Sequence, residues 1–215
     1  MTTPAARRSK LLVFDEQTRH LVRLAAIIAA GDEPSMRAGL TEATDAVSPT
    51  WIEELILQSY LFCGFPRSLN AMRAWRRLTG RPAPGEAEPT DAGEWRRRGE
   101  ATCRRVYGAM YDRLRVNIRA LHPDLDEWMI VEGYGKVLSR PGLDLARREL
   151  CIIAACAASA QDRQLHSHLH GALNVGVAPN VVTEAIDAFE DLLPEGARKS
   201  ARMLWKRVEA NVSLT

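Results

Sequence analysis

The feature that most constrains the fold is a resemblance between two parts of the chain, at an offset of about 130 residues. Three blocks recur in the same order: an apolar run, a proline-led amphipathic segment and a segment centred on tryptophan. A duplicated unit with one apolar face buries that face against its copy. Any two amphipathic segments share some pattern, but three ordered matches at nearly constant spacing favour a tandem repeat. The matched blocks are LVRLAAIIAA (21–30) with LCIIAACAAS (150–159), SPTWIEELI (48–56) with APNVVTEAI (178–186), and RAWRRL (73–78) with MLWKRV (203–208).

Apolar residues recur at helical spacing in almost every long segment, which predicts an all-α fold. The chain is 46% hydrophobic but only 6% aromatic, and it is rich in Ala and Leu, which favours closely packed helices over sheets. Prolines stand at predicted first turns and glycines at predicted ends. The predicted helices are 16–30, 34–46, 49–61, 67–78, 93–120, 125–138, 143–160, 161–175, 179–192 and 196–211.

The segment 79–93 is rich in Pro and Gly and is predicted to be a linker. It separates a degenerate N-terminal repeat, residues 1–78, from a C-terminal repeat, residues 94–215. The two copies differ in polar residues, so we expect one functional site per chain, built on the C-terminal copy. At the repeat offset, Glu149, Gln161, Gln164 and His168 correspond to His20, Asp32, Ser35 and Gly39.

The net charge and the apolar runs of the chain limit the classes of partner. A formal net charge of +2 gives no strong bias toward nucleic acid or acidic membranes. The arginine-rich segment 95–115 allows a nucleic-acid patch, but it is interpreted as an amphipathic helix with Val106, Met110 and Leu114 buried and its arginines solvated. The longest apolar run, 150–160, is too short to span a bilayer.

We expect a cytoplasmic protein without a signal peptide. The opening MTTPAARRSK is followed by LLVFDEQ, which interrupts any apolar run. The four cysteines form no Cys-x-x-Cys pair, which predicts free buried thiols in a reducing compartment.

Polar side chains on two consecutive predicted helices are expected to face one apolar gap. Glu149 shares a helix face with Ile152 and Cys156. On the next helix, Gln161, Gln164 and His168 fall within a sector of about 60°. A carboxylate and an imidazole in contact suit general acid–base chemistry. The alternatives are a satisfied core histidine and a glutamate that only stabilises a helix start.

A metal site is not predicted. His166 and His170 are four residues apart, a spacing compatible with metal ligation. No carboxylate or cysteine completes that face locally, and His168 points to a different side of the helix.

The run REL…QLHSHLHGALNVGVAPNVVTEAI resembles the carboxymuconolactone decarboxylase family, which includes the alkylhydroperoxidase D-like proteins. The resemblance covers about 121–192, with a weaker copy at 16–78. It implies an all-α, alkylhydroperoxidase D-like helical bundle with two tandem copies in one chain. It also implies a homo-oligomer, a trimer that imitates a hexamer of single copies.

In the peroxidase branch of that family, a glutamate precedes a Cys-x-x-Cys, and a histidine follows four residues after the second cysteine. Glu149 and His168 match the outer members, while Gln161 and Gln164 stand at the two cysteine positions. An amide forms no thiolate, so thiol peroxidase activity is not expected. It would require Cys63 or another thiol to reach His168.

The decarboxylase branch implies a carboxy-lyase that takes a small carboxylated lactone, or a related enol or keto acid, without metal or organic cofactor. His168 would then transfer the proton, and Glu149 would orient it. Gln161 and Gln164 would position substrate oxygens. Tyr134, between Gly133 and Gly135, would bind substrate by lining the pocket, or it would only pack at a helix end. The cation for the substrate carboxylate would be Arg148, Arg140 or Arg147.

The alternative is a non-catalytic assembly or small-ligand-binding protein of the same fold. A closed, packed space around His168 favours that alternative, and an open pocket there favours the enzyme.

Overall fold

The computed structural model describes residues 12–212 of the chain. Predictions that concern residues 1–11 and 213–215, including the expectation of no signal peptide and the outer ends of the two repeats, fall outside the described residues. The described part contains no strand, which confirms the all-α prediction. Its helices are α1 (Glu16–Ala30), α2 (Glu33–Ala46), α3 (Pro49–Thr79), α4 (Ala92–Tyr107), α5 (Tyr111–Leu121), α6 (Pro123–Trp128), α7 (Leu145–Ala158), α8 (Asp162–Asn174), α9 (Pro179–Phe189) and α10 (Glu195–Val212).

The tandem repeat is visible helix by helix: α1 and α2 correspond to α7 and α8, and α3 corresponds to α9 and α10 together. One hydrogen bond recurs in both copies. The Trp75 indole donates to Glu53 Oε1 at 3.1 Å, and the Trp205 indole donates to Thr183 Oγ1 at 2.9 Å. Both residues of the second pair lie 130 positions after their counterparts, so the repeat extends to individual side-chain contacts.

The two copies pack against each other through α1 and α7. Leu21 and Ile28 on α1 are fully buried, as are Leu150 and Ile153 on α7. Burial of such a side chain contributes about 1.5–3 kcal/mol. The shared α1–α7 contact therefore joins the copies into a single core.

The starts of α1 and α7 are tied together by one arginine. Asp15 and Asp144 cap these helices by accepting the backbone N–H of Thr18 and Arg147 at 2.8 and 3.0 Å. The Arg147 guanidinium also donates to Thr18 Oγ1 at 3.0 Å and to Asp144 Oδ2 at 2.7 Å. The Arg147 guanidinium is therefore engaged where the two copies meet.

Two glycines divide segments that helical spacing treats as continuous. Gly64, at φ 79°, bends α3 into two parts that match the two predicted helices. Gly108, at φ 51°, ends α4, so the single predicted helix 93–120 is wrong and is two helices instead. The break turns the chain, and Met110 is 52% exposed although Val106 is buried. The expectation that Met110 is buried is therefore also wrong.

The segment after α6 continues as a π-helix, Met129–Leu138, which packs closely on α4. A Cβ at Gly99 would lie 2.0 Å from the carbonyl oxygen of Ile130, and one at Gly135 would lie 2.0 Å from that of Trp95. The two backbones approach so closely because both positions lack a side chain. This contact holds the π-helix against α4.

The chain between α3 and α4, residues 80–91, is not helical, and one carboxylate anchors it. Glu88 accepts hydrogen bonds from Arg98 at 3.0 Å and from Arg140 at 2.9 Å. Arg98 lies on α4, and Arg140 lies in the loop before α7. The connecting segment is thereby fastened over the C-terminal copy.

Candidate active site

Helices α7 and α8 bring Glu149 and His168 into direct contact. His168 Nδ1 lies 2.8 Å from Glu149 Oε2, and Glu149 is fully buried while His168 is 5% exposed. With Nδ1 held by the carboxylate, Nε2 is the ring nitrogen left for a substrate. It makes no hydrogen bond within residues 12–212.

The pair fits between the helices because residue 171 is glycine. A Cβ at Gly171 would lie 2.6 Å from Glu149 Oε2 and 2.7 Å from Val106 Cγ1. On its other side, the His168 ring meets the Phe62 ring edge to face, with centroids 5.7 Å apart. The imidazole is therefore fixed both by its hydrogen bond and by packing.

Glu149 Oε1 is buried without a hydrogen-bond partner among the described residues. Its neighbours are weak acids that burial keeps protonated. Burial, followed by the Glu149 charge, raises the pKa of Cys156 to about 12. Burial, then the charges of Tyr107 and Glu149, raise the pKa of Tyr134 well above its ordinary value. A half-satisfied buried carboxylate is costly, and such groups concentrate at functional sites.

A cavity of about 560 Å³ opens at His168. It is formed by α3 of the N-terminal copy, by α4, α5, α6 and the π-helix, and by α8. The space beside the imidazole is thus open, the arrangement that favours an enzyme or a ligand-binding protein over a purely structural one. Its apolar walls are Leu61, Phe62, Leu114, Ile118, Leu125, Trp128, Met129 and Leu138.

Three tyrosines stand in the largely apolar wall of the cavity. The Tyr60 hydroxyl is buried and has no hydrogen-bond partner of standard geometry in the described chain. Burial, and after it the charge of Glu132, raises the pKa of Tyr60 to about 12. The rings of Tyr107 and Tyr134 stand edge to face, with centroids 6.2 Å apart, on another wall. Burial also raises the pKa of Tyr107 to about 12, so all three hydroxyls are protonated at neutral pH.

The sequence-predicted site residues separate into two groups. Gln164 and Tyr134 line the cavity with His168. Gln161 does not, because α8 begins after it and its amide donates to the Ser159 carbonyl at 3.2 Å. The helical-sector argument does not apply to a residue outside the helix.

Arg148 is also outside the cavity lining, since its guanidinium is buried in an ion network. It donates to Glu54 Oε2 at 2.7 Å, to Gln58 Oε1 at 3.0 Å and to the Leu143 carbonyl at 3.1 Å. We therefore assign Arg148 no substrate contact. The other two candidate cations are engaged as well: Arg140 donates to Glu54 and Glu88, and Arg147 to Asp144 and Thr18.

The cation that lines the cavity is Arg163, which sequence reasoning missed. It is exposed, and the structure shows no ion pair to it within the described residues. The sequence feature that could have indicated Arg163 is its position on α8, close to His168. Arg163 lies four residues before Ser167 and five before His168, so it belongs to a neighbouring row on the same helix surface.

The other chemistry-bearing side chains do not form a second centre. His166 and His170 stand edge to face at 4.9 Å, where burial and then the charge of His166 lower the pKa of His170. No group of three or more His, Cys, Asp or Glu side chains in residues 12–212 is placed to hold a metal ion.

The four cysteines are free thiols, and none of them is activated. The Cys63 thiol donates to the Ser59 carbonyl at 2.9 Å, and burial raises its pKa. Burial raises the pKa of Cys103 to about 12. A thiol with a raised pKa is a poor nucleophile, which counts against a thiol peroxidase.

Comparison with known proteins places these two copies in a family. The sequence model of the Carboxymuconolactone decarboxylase family matches residues 12–77 and again residues 123–191. The chain belongs to this family. Its fold is the all-α, alkylhydroperoxidase D-like bundle, present here as two tandem copies. Both the resemblance and the fold class predicted from the sequence are thereby confirmed.

One curated protein is also similar to this chain. Peroxisomal protein 2 of Schizosaccharomyces pombe is 30% identical over 164 residues, which cover 73% of this chain and 77% of that protein. Its name states a compartment and no activity. No helix among the described residues is long and apolar enough to cross a membrane.

Both family matches contribute to one cavity in this carboxymuconolactone decarboxylase family member. The second match contains Glu149 and His168, and the first contains Tyr60 and Phe62. The degenerate copy thus supplies part of the wall around the polar pair of the other copy.

Proposed function

We propose that this chain is a cofactor-independent, decarboxylase-type enzyme that uses His168 and Glu149 as a general acid–base pair. Its substrate would be a small carboxylated lactone or a related enol or keto acid. The observation that carries the proposal is the buried 2.8 Å contact between His168 Nδ1 and Glu149 Oε2 beside an open cavity.

In the proposed reaction, the bond between the substrate carbon and its carboxylate breaks, and carbon dioxide leaves. The electron pair stays on that carbon and delocalises into the adjacent carbonyl or alkene as an enolate. His168 Nε2–H then gives its proton to the carbon and recovers one from solvent. The Glu149 carboxylate stabilises the imidazolium that donates, and such proton transfer contributes about a hundredfold to ten-thousandfold in rate.

One further group supports this chemistry from the cavity wall. The Gln164 amide can donate to an enolate or lactone oxygen, since an amide carries two N–H donors. Donors placed where negative charge develops lower the barrier more than donors that only bind the ground state.

The test is carbon dioxide release, or exchange of the carbon-bound proton in deuterated water, over a panel of carboxylated lactones and keto acids. We expect His168→Asn to lower kcat at least a hundredfold while the fold is retained. His166→Asn is the matched control, because it lies two residues away on α8 and does not line the cavity. Equal turnover in the His168 variant and the wild type would contradict the mechanism.

A ligand-binding protein without turnover is the second candidate, and the predominantly apolar cavity wall favours it. In that case His168→Asn would change affinity, while no member of the panel would lose carbon dioxide or exchange a proton.

Assembly and compartment are further proposals. We propose a homotrimer, in which the two copies of each chain imitate a hexamer of single copies, and sedimentation equilibrium tests it. The free thiols in residues 12–212 suit a reducing compartment, for which we propose the cytoplasm. The fission-yeast relative's name makes the peroxisome the competing location, and imaging of the tagged chain decides between them.

A further inference from the structure

We infer that the cavity at His168 selects a substrate with one carboxylate and an apolar, ring-sized body, and that Arg163 binds the carboxylate. The inference rests on the proposed function and narrows its substrate class. It excludes small, multiply charged lactones as preferred substrates.

The composition of the cavity wall requires a substrate with an apolar body. Aliphatic and aromatic side chains form most of the lining, from Phe62 beside the imidazole to Leu125 and Trp128 on α6. Leu125 and Trp128 are 48% and 58% exposed, so this apolar surface continues to the mouth of the cavity. A volume of about 560 Å³ accommodates a ring with a short side chain.

The charges of the lining favour one carboxylate and oppose a second. Arg163 is the one cation among the described residues that line the cavity, and Glu132 is the one acid. Lys136 lies 3.3 Å from Glu132 and offsets part of its charge. Lys136 does not line the cavity, so it offers no contact to a substrate there.

The Gln164 amide is the neutral donor of the cavity lining for a remaining substrate oxygen. A neutral donor suits a carbonyl or enol oxygen better than a second carboxylate. The polar groups thus match an apolar keto or enol acid.

Titration calorimetry on the full chain tests this with three probes: phenylpyruvate, pyruvate, which lacks the ring, and 2-oxoglutarate, which has a second carboxylate. A buried phenyl ring removes about 100 Å² of apolar surface from water, so phenylpyruvate should bind about fiftyfold more tightly than pyruvate. It should also bind at least tenfold more tightly than 2-oxoglutarate. Glu132→Gln should reduce the difference in affinity between phenylpyruvate and 2-oxoglutarate.

Two variants with a lost arginine charge test the role of Arg163. Arg163→Gln should weaken phenylpyruvate binding about tenfold. Arg113→Gln, at an exposed α5 position outside the cavity lining, should leave binding unchanged. Equal effects of the two substitutions, tighter binding of 2-oxoglutarate than of phenylpyruvate, or no binding of phenylpyruvate would overturn the inference.

The outcomes separate this inference from the proposed function. If the binding pattern holds but no substrate loses carbon dioxide or exchanges a proton, the substrate class stands and the proposed enzyme does not. If His168-dependent turnover occurs with dicarboxylates preferred, the enzyme stands and the inference does not.

Discussion

Replacement of Gly171 by alanine should separate the site's geometry from the general stability of α8. The added Cβ would lie 2.6 Å from Glu149 Oε2 and 2.7 Å from Val106 Cγ1, whereas ordinary contact begins at 3.4 Å. Each neighbour must therefore retreat by about 0.7–0.8 Å. A carboxylate displaced by that amount along its 2.8 Å contact with His168 passes the limit of a useful hydrogen bond.

The expected change in the free energy of unfolding combines two destabilising effects and one stabilising effect. Overpacking a buried position costs about 1–3 kcal/mol. Losing a hydrogen bond to a charged group costs about 1.5–3 kcal/mol. Alanine in place of glycine inside a helix recovers about 1 kcal/mol. We expect Gly171→Ala to lower the free energy of unfolding by about 2–4 kcal/mol and to lower turnover at least a hundredfold.

Urea unfolding followed by far-UV circular dichroism measures the stability change, and carbon dioxide release measures turnover. Gly196→Ala is the control, because a Cβ at that position of α10 meets no atom within 4 Å. It should be neutral or stabilising by up to about 1 kcal/mol. The reasoning is refuted if Gly171→Ala unfolds at the same urea concentration as wild type and retains full turnover.

Three further outcomes are expected. Glu54→Gln should lower the free energy of unfolding by about 3–5 kcal/mol, because it removes the charge that compensates fully buried Arg148. Urea unfolding measures this loss, and an unchanged unfolding midpoint would contradict the prediction. The hydrogen bond from Arg115 lowers the pKa of Asp126. The stability that ionised Asp126 contributes is therefore complete above about pH 5 and is lost as the pH falls through the folded-state pKa of Asp126. Asp126→Asn should therefore lose less stability than wild type in acid titrations of unfolding. Cys156, whose pKa burial raises to about 12, should resist iodoacetamide in the folded chain and react once urea unfolds it, as mass spectrometry will show.

Local patterns in the sequence determined the helices and the repeat. Helical spacing, prolines at first turns and matched blocks are properties of neighbouring residues, so α1, α9 and the correspondence between copies were predictable. The Glu149–His168 contact was anticipated for the same reason: each faces inward on its own helix, and consecutive helices of a bundle pack together. The break at Gly108 was missed because a single glycine leaves the apolar spacing on both sides intact.

The site beyond that pair was decided by the tertiary structure. Glu54 and Arg148 are 94 residues apart, and only the packing of α3 on α7 joins them and withdraws that arginine from the cavity. The cavity likewise combines Tyr60, Leu125 and Arg163 from three parts of the chain. Helical periodicity determines which way a side chain points from its own helix. Which side chains then meet depends on the path of the whole chain, because contacts between distant segments are selected by shape and charge rather than by spacing.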